Sequence, residues 1–137
     1  MKKVIGLGGV FFESENPAKL NSWYKKHLGF KTGEYGTNFS WRYGMDGTRT
    51  GYTQWVPCER DAEHFHPSDK RFMMSYRVHD LEALVEQLEA SGISLLGKVT
   101  ALHHGKFAYL LDPEGNKVEL WEPNDTEYAR ICEGVTG

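Results

Sequence analysis

The chain has 137 residues, of which 39% are hydrophobic and 26% charged, the balance of one globular domain rather than of a disordered segment. Its net charge is −3, and the bases form no cluster of the kind that a nucleic-acid partner requires. No apolar run approaches the length of a membrane span. Cys58 and Cys132 form no CxxC pair. They predict two reduced thiols, as expected of a cytoplasmic protein.

The first half of the chain predicts a strand, a helix and further strands. Residues 4–14 are an apolar, strand-like run, and Asn16-Pro17 then predicts a helix start, because asparagine caps helices and proline fits their first turn. Apolar positions then recur along one helix face up to Gly29, which predicts the helix end. These face positions are Leu20, Trp23, Tyr24, His27 and Leu28.

The second half repeats the same pattern. Residues 72–78 predict a strand, Asp80 predicts a cap, and Gly92 predicts the end of a second helix, whose apolar face is Leu81, Leu84, Val85 and Leu88. Residues 107–123 superimpose on residues 41–57 at a constant shift of 66, and each segment carries a turn sequence. We therefore predict modules at 4–57 and 71–123, a linker at 58–70 and a tail at 124–137 with one short helix from Asp125 to Cys132.

The repeated pattern resembles the vicinal-oxygen-chelate superfamily of glyoxalases, bleomycin-resistance proteins and dioxygenases. The resemblance rests on the paired modules, the Leu28-Gly29-Phe30 sequence after the first helix and the closing DPEGNKVELWEP of residues 112–123. It implies an α+β fold, in which two paired βαβββ modules form a U-shaped mixed sheet around a cup.

The resemblance also implies four metal-ligand positions, one in the first and one in the last strand of each module. Counted from the helix caps and the closing motif, these positions fall on Gly9, Thr53, Met73 and Glu119. Glycine has no donor, methionine is too soft for hard cations and threonine is weak. A slip of one residue would replace Thr53 by Gln54, but it would also invert the faces of that strand. We therefore expect no metal and no cofactor.

Four histidines were considered as a substitute metal site. They form two pairs, His64 with His66 in the linker and His103 with His104. We interpret them as solvated loop residues and His27 as a structural residue at a helix end.

Strand alternation predicts which side chains face the cup. The expected apolar walls are Leu7, Phe11, Trp55, Met73 and Trp121, and the expected polar groups are Thr53, Ser75, Arg77 and Glu119. Three points stay open. The first is whether the two tryptophans only fill the space between modules, and the second is whether Glu119 only pairs with Arg77 or a lysine. The third is whether Arg42 or its neighbours Trp41 and Tyr43 face inward.

These features predict a protein that binds a small organic molecule in an aromatic-lined cup. The alternative is a lyase or isomerase of the glyoxalase type, in which Glu119 shuttles a proton or binds a metal; dioxygenase chemistry is not expected. Whether the protein is an enzyme stays open. We expect no nucleic-acid partner, no membrane association and a homodimer, because a linker of about 13 residues spans about 40 Å and lets modules pair within or between chains.

Overall fold

The computed structural model describes residues 3–44 and 46–132. In these residues it has seven β-strands and three α-helices. The strands are β1 (Val4–Glu13), β2 (Thr37–Tyr43), β3 (Asp46–Cys58), β4 (Phe72–Val78), β5 (Thr100–Leu102), β6 (Gly105–Leu111) and β7 (Lys117–Pro123). The helices are α1 (Pro17–Leu28), α2 (Leu81–Ala90) and α3 (Asp125–Ile131), and a 3₁₀ turn covers Glu63–Phe65.

All seven described strands form one mixed sheet in the order β2-β3-β1-β4-β7-β6-β5. Strands β1 and β4 are the first strands of the two halves, and they pair antiparallel at the centre of the sheet. Each half also pairs its first and last strands in parallel, β1 with β3 and β4 with β7. The α+β fold of two related units is thus confirmed.

The first half has one described strand fewer than the βαβββ pattern predicts. Residues 29–36 contain no strand, and the Gly33 N–H donates to the Gly36 carbonyl at 2.8 Å, which closes a local loop. Three glycines in this short segment favour such a loop over a paired strand.

The two long helices begin and end where the sequence predicts. The Asn16 side chain accepts from the Lys19 N–H at 3.0 Å, and the Asp80 side chain accepts from the Ala83 N–H at 3.2 Å. Gly29 follows α1 with a φ of 72°, in the left-handed region that glycine adopts without strain. Local signals therefore place both helices without help from the rest of the chain.

Both long helices pack on one face of the sheet, here called the outer face. Helix α2 inserts Leu81, Leu84 and Val85 against β-strand residues such as Leu120. Helix α1 makes a smaller contact, in which the Tyr24 ring lies 4.7 Å from that of Trp55. The predicted α1 face is not fully buried, since Trp23 and Leu28 stay 51% and 59% exposed.

The opposite face, here called the inner face, is covered by two segments that were not expected to do so. The polar linker contributes one buried side chain, Phe65, which packs with Phe11 and Met73. The tail forms α3, close to its predicted bounds, and packs Tyr128 against Trp121. The predicted fraying of residues 133–137 lies outside the described residues. No helix within residues 3–44 and 46–132 is long and apolar enough to cross a membrane.

Candidate functional site

A row of polar side chains crosses the inner face from one side of the sheet to the other. The strand registers align Gln54 with Gly9, Gly9 with Ser75 and Ser75 with Glu119. The same row continues outward to both neighbouring strands. Its members, here called the polar row, are Asn38, Gln54, Gly9, Ser75, Glu119 and Tyr109.

Glu119 is the buried carboxyl group at the centre of this row. It is 5% exposed. Its Oε1 accepts a hydrogen bond from Ser75 Oγ at 2.7 Å, and its Oε2 accepts one from the Tyr109 hydroxyl at 2.8 Å. Burial raises the pKa of Glu119, and the two hydrogen bonds oppose that rise. The carboxyl group thus holds its proton to higher pH than an exposed one.

The neighbours of Glu119 are themselves shifted by burial. Burial, and next the negative charge of Glu119, raise the pKa of Tyr109 far above its usual range. Burial lowers the pKa of Lys117, whose Nζ lies 4.9 Å from the centre of the Tyr109 ring. A carboxyl, a phenol and an amine therefore meet in one partly desolvated cluster, as is common at functional sites.

Each end of the polar row reaches a cavity. Next to Tyr109 lies a cavity of about 420 Å³, here called the Tyr109 cavity, lined by Ala62, Glu63, His64, Met73, Tyr109 and Lys117. At the other end, Asn38 and Gln54 line a cavity of about 500 Å³ beside α3. Both volumes suit a small organic molecule.

The expected inward orientation of Thr53 and Trp55 is corrected by the register of β3. Gln54, not Thr53, lies opposite Gly9 on the inner face. Trp55 lies on the outer face, with its ring 5.1 Å from Phe30. The offset that relates the two halves therefore differs from strand to strand. A constant shift places β3 one residue out of register, and this error puts each of its side chains on the wrong face of the sheet.

Leu7 is also corrected, by a bulge in β1. The register shifts between Leu7 and Gly9, so Leu7 lies opposite Tyr76 on the outer face. A Cβ added to Gly8 would lie 2.7 Å from Ser75 Oγ, so the backbone approaches the inner-face side chains closely at this bulge.

Six of the expected cup residues, Glu119 included, lie on the inner face, and of these Met73 lines the Tyr109 cavity. Ser75, Arg77 and Trp121 are fully buried, and Met73 and Phe11 are nearly so. The covering segments fill the centre of the face, and the two cavities described above lie at the ends of the polar row. The space-filling alternative therefore describes Trp121, which packs against Phe107 and Tyr128.

Arg77 pairs with the tail rather than with Glu119. Its Nη2 donates to Asp125 Oδ1, and its Nη1 donates to the Tyr52 carbonyl at 3.1 Å. Of the β2 residues left open, Trp41 and Tyr43 rather than Arg42 reach this pair, because the Trp41 ring lies 5.3 Å from the Arg77 guanidinium and the Tyr43 hydroxyl donates to Asp125 Oδ2 at 3.2 Å. Trp41 Nε1 also donates to Thr53 Oγ1 at 2.9 Å.

The histidines occupy separate places. His64 lines the Tyr109 cavity, and its ring lies 6.2 Å from that of Phe11. His104 lines the other cavity, and burial lowers its pKa. The chain does not bring the four paired histidines to one point.

Comparison with known proteins identifies the family. The model of the Glyoxalase/Bleomycin resistance protein/Dioxygenase superfamily matches residues 12–120. The chain belongs to this superfamily. No curated protein matches the chain.

Solved structures show the superfamily fold at low sequence identity. Methylmalonyl-CoA epimerase from Mycobacterium tuberculosis is 18% identical, with a TM-score of 0.59 over 94% of this chain and 95% of that chain. A variant of the Streptomyces coelicolor epimerase, in complex with 2-nitronate-propionyl-CoA, is 13% identical, with a TM-score of 0.61 over 88% and 99%. A 2,3-dioxygenase from Pseudomonas sp. KL28 is 17% identical, with a TM-score of 0.57 over 90% and 42%.

The donor set of this superfamily member does not fit the metal that the family resemblance implies. The inner-face row offers Gln54, Gly9, Ser75 and Glu119, with one carboxylate among them. Both oxygens of that carboxylate already accept hydrogen bonds. In residues 3–44 and 46–132, no group of three or more His, Cys, Asp or Glu could hold a metal ion.

Sequence reasoning missed Tyr109, Lys117 and Gln54 as members of the site. Gln54 was named only as the product of a slip, and Lys117 was given a face but no role. The sequence did contain a signal for Tyr109. If β6 and β7 form a hairpin, their cross-strand register places Tyr109 directly beside Glu119.

Proposed function

We propose that the protein binds a small organic molecule in the Tyr109 cavity and does so without the metal of its relatives. The observation that carries this proposal is the contact of Glu119 with Tyr109, which connects a buried carboxyl group to the wall of an open cavity. A cavity with apolar walls and a few convergent polar groups is the usual form of a small-molecule site.

The lining of the cavity defines what it can hold. Met73 supplies an apolar surface, the Tyr109 hydroxyl and the Lys117 ammonium supply polar groups, and His64 stands at the same wall. This set favours a ligand with an apolar body and a hydrogen-bonding or anionic group. Phe11 and Trp121 support the site from beneath rather than contacting the open space.

A thermal-shift screen across aromatic and polar metabolites tests the proposal. Ligands that stabilise the wild type should lose most of that effect in Tyr109→Phe and Lys117→Ala. Tyr76→Phe is the matched control, because Tyr76 lies on the outer face near α2. Stabilisation that survives both cavity variants, or a screen with no binder, would refute the proposal. So would a stoichiometric divalent ion bound by Glu119 in metal analysis.

A second candidate is a metal-independent lyase or isomerase. It is favoured by the burial that raises the pKa of Glu119, since a carboxylate with a raised pKa is a stronger base. Glu119 itself is nearly inaccessible. A proton would therefore pass from the ligand to the Tyr109 oxygen while the Tyr109 proton passes to Glu119. The epimerase neighbours are isomerases by name, but their likeness to this chain shows the fold alone.

Proton exchange separates the two candidates. A ligand from the screen, incubated in deuterated water, should gain deuterium with the wild type and not with Glu119→Gln. The variant should keep its fold and its affinity for the ligand. Equal exchange with and without protein leaves ligand binding as the function.

We further propose that the protein acts in the cytoplasm as a homodimer, with neither nucleic acid nor membrane as partner. Both cysteines are buried and neither forms a disulfide, as expected of a reducing compartment. The outer strands of the sheet, β2 and β5, have one described neighbour each, and both carry exposed apolar residues, Phe39 and Leu102.

A further inference from the structure

Arg77 is a fully buried cation whose hydrogen bonds are incomplete. It is 0% exposed, on the inner face between β1 and β7. Nη1 and Nη2 have partners, but Nε has none among the described residues. A buried donor without a partner is rare and calls for an explanation.

The unpartnered atom lies on the edge of the guanidinium that suits a carboxylate. Nε and Nη2 donate in parallel from one edge, which matches the two oxygens of a carboxylate. Asp125 binds only Nη2 of that pair, through Oδ1, while its Oδ2 accepts a hydrogen bond from the Tyr43 hydroxyl at 3.2 Å. A carboxylate that does not bond Tyr43 could bind both nitrogens of Arg77.

Helix α3 presents a carboxylate and an aromatic ring side by side. Asp125 and Tyr128 are three residues apart, so they share one face of the helix. The Tyr128 ring lies 4.8 Å from Trp121 and 5.4 Å from Tyr52, and its hydroxyl donates to Asn38 at 2.5 Å. This face of α3 thus has the chemistry of a hydroxylated aromatic carboxylate.

Helix α3 is short, and a cavity lies on each side of it. It has seven residues, and Tyr128 is its one buried residue. A cavity of about 500 Å³ lies on one side, lined by Gln54 and Ile131 among others, and one of about 680 Å³ lies on the other, where Asp125 itself is part of the wall. Helix α3 thus contributes wall residues to both cavities, and its Asp125 bonds Arg77.

We propose that Arg77 is the binding site for the carboxylate of an aromatic-acid ligand, and that Asp125 and Tyr128 of α3 occupy this site as an internal substitute until the ligand displaces them. This site is separate from the Tyr109 cavity, so the inference goes beyond the proposed function and assigns a ligand class to a second site. The ligand's ring would lie against Trp121, and its carboxylate would bridge Nε and Nη2 of Arg77.

Affinity for a defined probe pair tests the displacement. The probes are para-hydroxyphenylpropanoate and its primary amide, titrated by calorimetry into the full chain. Asp125→Asn weakens the internal competitor, so it should bind the carboxylate about tenfold more tightly than the wild type. Glu127→Gln is the matched control, because Glu127 lies on α3 and pairs with Arg130 instead. The amide should bind weakly to all three proteins.

Two results overturn the inference. One is equal carboxylate affinity in Asp125→Asn and Glu127→Gln, and the other is an amide that gains as much as the acid. If Asp125→Asn does not fold, Tyr128→Phe replaces it, since it removes the bond to Asn38 and keeps Asp125. That variant should bind the acid several-fold more tightly, and unchanged affinity refutes the inference. Loss of metabolite binding in Tyr109→Phe would still support the proposed function in that case.

Discussion

At the scale of single residues, the site depends on one carboxyl group kept away from water. Glu119 satisfies both of its oxygens with hydroxyl donors rather than with a cation. Arg77 lies two positions after Ser75 on β4, and it forms its ion pair with Asp125 of the tail. Glu119 and Arg77 therefore belong to separate hydrogen-bond networks on the inner face.

The pH dependence of stability should reveal the raised pKa of Glu119. Because burial raises the pKa of Glu119, the folded protein holds the proton to higher pH than the unfolded chain does. Its contribution to stability is full at low pH and is lost as pH rises through the folded-state pKa. Relative to Glu119→Gln, the wild type should thus lose unfolding free energy above the ordinary carboxyl range, by at most about 1.4 kcal/mol per pH unit.

Urea unfolding at a series of pH values measures this difference. Glu86→Gln is the control, because Glu86 is exposed on α2. A wild type that gains stability over Glu119→Gln as pH rises would show that the folded protein favours the charged carboxylate.

At the scale of elements, the linker and α3 together cover the inner face of the sheet. The two long helices both lie on the outer face, so the apolar part of the inner face needs another cover. The linker supplies Phe65 to one end and α3 supplies Tyr128 to the other. The polar row remains accessible where these two covers stop.

Phe65 should therefore be a stability residue although it lies in a polar linker. It is 4% exposed and packs with Phe11, Cys58 and Met73. Phe65→Ala should lower the unfolding free energy by about 3–5 kcal/mol, the usual cost of emptying a buried phenylalanine site. Chemical denaturation measures the loss, and the exposed linker residue Glu59→Ala is the control. A loss no larger than that of the control would contradict the packing of this segment.

At the scale of the whole molecule, the sheet is continuous but its outer strands are open. The central β1–β4 pairing joins the two halves within the chain, and β2 and β5 remain at the outside. Exposed aromatic and aliphatic side chains accompany them on α1, notably Trp23 and Leu28. Such surfaces favour association between copies.

We expect sedimentation equilibrium at micromolar concentration to give a species of twice the chain mass. The physical reason is that pairing buries the open strand edges and the exposed apolar side chains. A single species near 15.7 kDa would rule out a stable dimer.

The sequence by itself determined the features that depend on neighbours along the chain. Asn16 and Asp80 cap their helices through bonds that span three residues, so the sequence suffices to place them. The grouping of Ser75 with Met73 and Arg77, and of Glu119 with Lys117 and Trp121, also followed from alternation within single strands. The family could be inferred because these local features repeat at a nearly fixed spacing.

Only the tertiary structure decided the features that depend on register and on distant contacts. Alternation fixes which residues share a face but not which face it is, so a one-residue offset moved Trp55 to the outer face and Gln54 to the inner one. The contact of Tyr128 with Asn38 joins residues 90 positions apart, and nothing local in either segment specifies it. Whether the inner face is an open cup or a covered one was therefore set by the packing of the linker and α3, because burial of apolar surface acts across the whole fold.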